Sequence, residues 1–422
     1  MRKGVLQLLV GCSMLLGAAE MTEEMMTEEG WFHGRQAGWN ADMNRSEPSL
    51  QGVALFGTLR GMWIDAHRET VQKTATAVGG RFGVKTAELY GFSAVAALQT
   101  SQKFWGINPS GTDALHPELY GSGGEPFTYL SEAQLQYRLG DLLLRGGRMK
   151  IETPYADPDD IRMAFNTFEG VSAGYAASDR LSIDLLYLAR WAGFDSGEAQ
   201  SEFVRLAEGS DGMMAAGLLY TPADEAEVSL WTYHVDGQYD LLYAEAVGRI
   251  HFRPLLHLEW GLQAVQMHAL QGSGIEGNVV GAMGILHYRN LYGGLAYNRA
   301  TVTADHVVTD GFGGGPYFTS LDEATVAAAS EIFAGHDLSV YRLGGGVGFG
   351  DSEGGFHLEA VYGLFDPEAL PSSIAETDLL LWTEAIPSLR VDMVFASFDG
   401  RRCDHPGCFD FERYWIRLDY SF

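Results

Sequence analysis

The sequence predicts an all-β fold, a transmembrane antiparallel β-barrel of eighteen strands with long extracellular loops and short periplasmic turns. Three observations carry that prediction. The chain stops on an alternating segment: Tyr414, Ile416, Leu418, Tyr420 and Phe422 are apolar at every second position, and Trp415, Arg417, Asp419 and Ser421 fill the gaps. Period two gives a strand with one apolar face and one wet face. Seventeen further segments of this kind precede it, at lengths that suit a tilted membrane-crossing strand of about 9–11 residues. The connections alternate between short and long, the asymmetry expected of an outer-membrane barrel.

Composition agrees. The 422 residues hold 55 acidic against 28 basic side chains, a net charge of −27, which argues against a nucleic-acid partner. Glycine reaches 53 and aromatic residues 12%, a β-rich usage. No stretch of about 18 apolar residues lies beyond the extreme N-terminus, so no transmembrane helix is expected.

Residues 1–19 read as an export signal: Arg2 and Lys3, an apolar run from Val5 to Leu16, then small Gly17, Ala18 and Ala19. A lipoprotein signal ending at Cys12 is the competing reading. The acidic, Met-rich segment 20–50 has no β alternation and reads as a periplasmic lead-in, which leaves 51–422 for the barrel. Cys403 and Cys408 form an even pair in an exported chain and read as a loop disulfide rather than a metal site with His405.

In order, the strand candidates are 51–65, 76–87, 91–102, 127–140, 141–151, 165–176, 181–192, 212–221 and 226–236. They continue at 239–252, 255–269, 278–288, 291–303, 335–350, 354–366, 376–386, 387–398 and 410–422. An even count is what a single-chain bacterial barrel needs. Short links include Gly140-Asp141, Pro254, Arg289-Asn290, Asp351-Ser352-Glu353 and Ile386-Pro387-Ser388; long ones span 103–126, 152–164, 193–211 and 304–334. The last is too long for a compact soluble domain and reads as functional. Trp63, Trp105, Tyr137, Trp191, Tyr220, Tyr288, Tyr297 and Tyr420 sit near strand ends, as interface girdles do.

The alternation separates the faces, because Arg or Lys on the lipid face costs about 2–4 kcal/mol at mid-depth. In 181–192, Leu181, Ile183, Leu185, Tyr187, Ala189 and Trp191 read as outward, with Asp184 and Arg190 inward. The same rule puts Arg60, Arg81, Lys85, Arg148, Lys150, Arg249, Arg342, Arg390 and Arg417 inside. Glu132, Asp184, Glu245, Glu259, Glu359, Asp392 and Asp419 join them. A wall charged in both signs suits a water-filled lumen. Its arginines could attract carboxylates, or each could pair with an acid on a neighbouring strand.

One segment is specific. Gly147-Arg148-Met149-Lys150-Ile151-Glu152-Thr153-Pro154, followed by Asp160-Ile161-Arg162-Met163-Ala164-Phe165-Asn166-Thr167-Phe168-Glu169-Gly170, closely resembles the third outer loop of OprD-type porins. Those carry a GRQ-x-x-x-TP…DxRM-x-PNTFEG pattern. Met149 departs from its Gln, and Ala164-Phe165 from its Val/Met-Pro. Gly57 to Asp65 resembles that family's first strand, and Gly313-Gly314-Gly315-Pro316-Tyr317-Phe318-Thr319-Ser320 its seventh loop.

The resemblance implies an eighteen-stranded outer-membrane channel whose third and seventh loops form the constriction, with a basic ladder guiding carboxylate-bearing solutes. By position it assigns Arg148, Lys150, Asp157, Asp159, Asp160 and Arg162 to the constriction or ladder. Tyr317, Ser320 and Asp322 follow from the seventh loop. It also implies that Phe422 is read by the barrel assembly machinery. The remaining expected partners are outer-membrane lipid and lipopolysaccharide, and monomer and trimer both fit.

Signals of other chemistry are weak. Gly170-Val171-Ser172-Ala173-Gly174 and Gly350-Asp351-Ser352-Glu353-Gly354 match G-x-S-x-G, but neither lies on a strand–turn–helix elbow. Gly344–Gly350 opens no helix, so no nucleotide is expected. The twelve histidines show no H-x-x-x-H or H-x-H spacing, and no metal or cofactor is assigned. The expected function is a passive, substrate-biased diffusion channel; the alternatives are a phospholipase-like barrel enzyme and a plugged structural or adhesive barrel.

Overall fold

Alternating apolar side chains force each strand to offer one face to lipid, and such strands can bury all their backbone polar groups only by closing into a ring. The computed structural model does so. It describes residues 49–50, 52–68, 71–104, 116–121, 124–197, 200–303, 305–349, 355–386, 388–400, 403 and 408–422. The export-signal reading of 1–19 and, but for Ser49-Leu50, the lead-in reading of 20–50 lie outside the described residues, together with Trp105 and the second G-x-S-x-G match.

Eighteen long strands follow one another. They are β1 (Val53–Arg68), β2 (Val71–Thr86), β3 (Phe92–Lys103), β4 (Phe127–Leu139), β5 (Leu142–Met149), β6 (Thr167–Ser178), β7 (Leu181–Ala192), β8 (Met213–Ala223) and β9 (Ala226–Val235). After them come β10 (Tyr239–Arg253), β11 (Leu256–Ala269), β12 (Gly277–Tyr288), β13 (Leu291–Val302), β14 (Leu338–Phe349), β15 (Phe356–Pro367), β16 (Ile374–Ile386), β17 (Leu389–Asp399) and β18 (Phe411–Ser421). Two-residue strands at Ser49–Leu50 and Val204–Arg205 add to β1 and β7. Each long strand pairs antiparallel with the next, and β18 returns to β1, with Thr58 opposite Ser421 and Arg60 opposite Asp419. The fold is thus a closed antiparallel eighteen-strand barrel.

The last residue completes the closure. Gly57 and Phe422 exchange both backbone hydrogen bonds at 3.0 Å. A Cβ at Gly57 would meet the Phe422 ring at 2.8 Å, so glycine makes room for the terminal ring. The outer band is leucine-rich: Leu242, Leu262, Leu295 and Leu343 are all about half exposed. At the end carrying Phe422, turns are two residues long at Gly140-Asp141 and Arg289-Asn290, with positive φ at Gly140 and Arg289. The long connections all stand at the opposite end.

Two expectations at that loop end are corrected. The first outer connection is two residues, not the ten implied by strands at 51–65 and 76–87. Both strands run on as a polar extension in which the Asp65 carboxylate accepts from Thr74 Oγ1 (2.6 Å) and Gln72 Nε2 (3.0 Å). Polar strand tips above the apolar band lose the alternation that reveals a strand. Trp191, expected outward, is buried, stacked near Phe168 and edge-on to Phe312. The register steps from Glu169–Arg190 to Gly170–Leu188, so Ala189 bulges and the phase flips; Arg190 is exposed instead.

The core lies inside the ring. Loop 3 (150–166), loop 7 (303–337) and a short helix of loop 2, α1 (Pro117–Tyr120), fold inward. Ile151, Tyr155, Phe312 and Tyr317 pack with wall residues Phe168, Tyr233 and Tyr243. Loop 7 also contains α2 (Val326–Ile332), capped by Thr325, whose hydroxyl accepts from Ala328 N at 3.1 Å.

Candidate functional site: the lumen and its inward loops

Loops 3 and 7 grip each other through their backbones. Asp157 N donates to Phe312 O (3.1 Å) and Phe312 N to Tyr155 O (3.0 Å). The Asp157 carboxylate accepts from Asp159 N (2.8 Å), Gly314 N (3.2 Å) and Gly315 N (3.3 Å). Gly313 has φ 140°, and a Cβ there would lie 2.6 Å from that carboxylate, so the glycine run lets loop 7 wrap around Asp157. Tyr155 and Tyr317 meet through their hydroxyls at 3.0 Å.

Loop 4 joins at Asn166, whose amide donates to Asp195 (2.7 Å) and accepts from its backbone N (3.1 Å). Burial raises the Asp157 carboxyl to about 7 against the pull of its amides. Burial, then the neighbouring Asp195 carboxylate, raise Asp159 well above the usual range, and the two carboxyls share a hydrogen bond.

The wall arginines of β1 and β18 meet these loops in a closed ionic network. Arg60 binds Asp419 bidentately (2.7 and 2.6 Å) and reaches Asp160 (2.6 Å) and Arg162 O. Arg417 binds Asp392 (3.0 Å) and Asp160 O, and Asp392 also accepts from Arg390 Nε (2.9 Å). Arg413 contacts Asp322, Glu323 (2.9 Å) and Glu118 (3.2 Å). Glu118 accepts from Arg162 Nε as well (2.6 Å).

Burial pushes Glu118 up, but the Arg162 and Arg413 guanidiniums outweigh it and hold the carboxyl at about 2. Asp160 is likewise driven down, burial losing to Arg60. Glu376 and Asp378 on β16 accept from the backbone amides of Glu323 (2.9 Å) and Asp322 (3.1 Å), pinning loop 7 to the wall.

A second group of cations is more open. On β2, Arg81 binds Glu132 (2.6 Å) with its side chain 27% exposed, and its guanidinium lies 5.6 Å from the Phe165 ring centre. Lys150 Nζ sits 2.7 Å from Glu152 and 5.8 Å from the same ring. Lys85 lies four residues beyond Arg81, on the same face, with no ion pair among the described residues.

Elsewhere on the wall, Arg249 binds Glu259 (2.8 Å), Arg342 lies 3.9 Å from Glu359, and Glu359 accepts from Tyr292 Oη (2.8 Å). Ser320 Oγ is buried without a hydrogen-bond partner among the described residues. The sulfurs of Cys403 and Cys408 are bonded.

Arg148, expected inside, projects from the outer face of β5. It alternates with Met149, which is fully buried in the interior, and shares its face with exposed Leu144. Its partners are Glu169 (3.1 Å), Leu130 O (3.2 Å) and the Phe203 ring. The lipid-face penalty that placed it inside falls to about 0–1 kcal/mol near the interface, and Arg148 sits at the outer end of its strand.

Glu118, Glu323, Glu376 and Asp195 join the site from loops and a distant strand, with no local signal. Arg413 had one: it stands four residues before Arg417 on the same face of β18. The Gly170–Gly174 match lies within β6, where Ser172 accepts from Arg145 Nε (3.1 Å).

The family model described as outer membrane porin, OprD family, matches residues 82–304, slightly more than half of the chain. A comparison with curated proteins found no match. Among solved structures, Pseudomonas aeruginosa OccK9 (OpdG) superposes with a TM-score of 0.74 at 14% identity, covering 89% of this chain and 100% of that one. P. aeruginosa OpdK with vanillate gives 0.73 at 16%, covering 89% and 100%. Acinetobacter baumannii OccAB4 gives 0.70 at 15%, covering 88% and 98%. At such identity these structures speak for the fold, and the family match for the lineage: the chain belongs to the OprD family of outer-membrane porins.

Proposed function

We propose that this porin passes small solutes passively with a bias toward carboxylate-bearing ones, and that loops 3 and 7 form the narrowest part of the path. The observation that carries the bias is the convergence of Arg81 and Lys150 on the Phe165 ring, with Lys85 further along β2. Vanillate, seen with OpdK, is an aromatic carboxylate, and part-exposed cations side by side suit the carboxylate of such a molecule. Binding of this kind is weak and multi-site, which lets a solute leave. In this reading the apolar band faces lipid, lipopolysaccharide meets the loop end, Phe422 serves assembly, and 1–19 direct export.

A second reading, a sealed barrel, draws on the aromatic packing of Tyr155, Tyr233, Tyr243 and Tyr317 inside the ring. Recording the refolded chain in planar bilayers separates the two. We expect conductance, anion preference despite the net charge of −27, and partial block by added vanillate. Lys150→Glu is expected to move the reversal potential toward cation preference. Absence of conductance favours the sealed barrel. An unmoved reversal potential in both Lys150→Glu and Lys85→Glu removes these lysines from the path.

A further inference from the structure

Near the ring end that carries Phe422, away from the inward loops, three lumen-facing side chains converge. His257 and Glu259 are two residues apart on β11 and therefore share a face. His287 stands on β12 directly opposite His257. The two imidazoles stack with centroids 4.5 Å apart and planes 8° apart. One ligand atom from each of the three residues lies within 4.8 Å of the others. His287 Nε2 is 3.1 Å from Glu259, and His257 Nε2 is 3.9 Å from it.

A purely structural account is a row of stacked rings, since His251, His257, His287 and Tyr292 follow one another across β10 to β13 at 5.2, 4.5 and 5.6 Å. Stacking leaves one fact over. His287 Nε2 is buried and, for all its closeness to Glu259, has no hydrogen-bond partner of acceptable geometry among the described residues. Two imidazoles and one carboxylate aimed at a common point form a donor set for borderline divalent ions.

We propose that His257, Glu259 and His287 bind a divalent transition-metal ion of the Zn²⁺, Ni²⁺ and Cu²⁺ class on the lumen wall. Arg249 opposes it: its guanidinium holds one Glu259 oxygen at 2.8 Å and repels a cation, so Arg249 sets the affinity. Three protein ligands leave a coordination position for water or an anionic solute. The proposal stands whether or not the barrel conducts, because binding is read without current.

Equilibrium dialysis of the full, refolded chain against ZnCl₂, NiCl₂ and MgCl₂ tests it. We expect one saturable site for Zn²⁺ and Ni²⁺ that is lost in the His257→Ala/His287→Ala double variant. His287→Gln alone should weaken binding at least about tenfold, and Arg249→Gln should tighten it severalfold. His234→Ala and His268→Ala, at the loop end, should change nothing. The proposal is overturned if the double variant binds as the parent does, if no saturable site is found, or if Mg²⁺ binds equally well. Heat-modifiable gel mobility verifies that each variant folds, and His287→Gln keeps the test decisive if the double variant does not.

Discussion

The lumen carries two groups of cations that differ in one respect. Arg60, Arg162, Arg413 and Arg417 are nearly fully buried, and each is met by acids from loops 2, 3 or 7 or from the wall. Arg81, Lys85 and Lys150 are partly open: the side chains of Arg81 and Lys150 are 27% and 26% exposed. Buried cations with several partners hold loops in place; part-exposed ones can meet a solute. A row of arginines along a pore wall therefore need not be a path for anions, since the carboxylates that fold over it decide its role.

The largest effect should come from the buried group. Arg413→Ala leaves Asp322, Glu323 and Glu118 without their common partner in a buried site, a type of loss that costs about 3–5 kcal/mol. Thermal unfolding followed by circular dichroism should show a marked drop in Tm, with earlier proteolysis of loop 7. Lys85→Ala, which removes a part-exposed cation with no ion pair among the described residues, should leave Tm nearly unchanged. Equal drops would erase the distinction between the two groups.

The loop clasp should also respond to pH. Asp157 and Asp159 have folded pKa values raised above those of the unfolded chain, so the folded form holds the extra protons. The clasp is strongest below about pH 4 and weakens as pH rises toward 7, the direction linkage requires when the native state binds more protons. Hydrogen exchange at 312–315, corrected for intrinsic rates, should be about tenfold less protected at pH 8 than at pH 5. Asp159→Asn should flatten that dependence. A protection that rises with pH would mean that these carboxyls are ionised in the fold.

The barrel was legible in the sequence because its cause is local: a strand half in lipid must alternate, and alternation survives in a single sequence. The failures stand where that cause lapses. Residues 71–75 lie in a polar extension, Ala189 bulges and reverses the faces beyond it, and Arg148 reaches the strand end where lipid no longer penalises charge. The site was legible only in parts. Asp160 and Arg162 came with a motif, but Glu118, the partner of Arg162, lies 44 residues before it, and nothing near Glu118 marks the contact. The pairing of His257 with His287 is likewise a product of strand register, which no short spacing encodes.

The smallest expected effect is also the sharpest test of the two faces. Arg148 lies in the same motif as Lys150, two residues away, yet it points outward toward Glu169 and Phe203 while Lys150 points toward Phe165. Arg148→Glu puts a like charge beside Glu169 at the rim, where screening is strong, so a stability change within about 0.5 kcal/mol is expected. Its reversal potential in bilayers should match that of the parent, whereas Lys150→Glu should shift it. A shift in Arg148→Glu as large as that in Lys150→Glu would mean that the charge at 148 is felt in the lumen, and that the motif acts through its field at the mouth rather than through the side chains that line the wall.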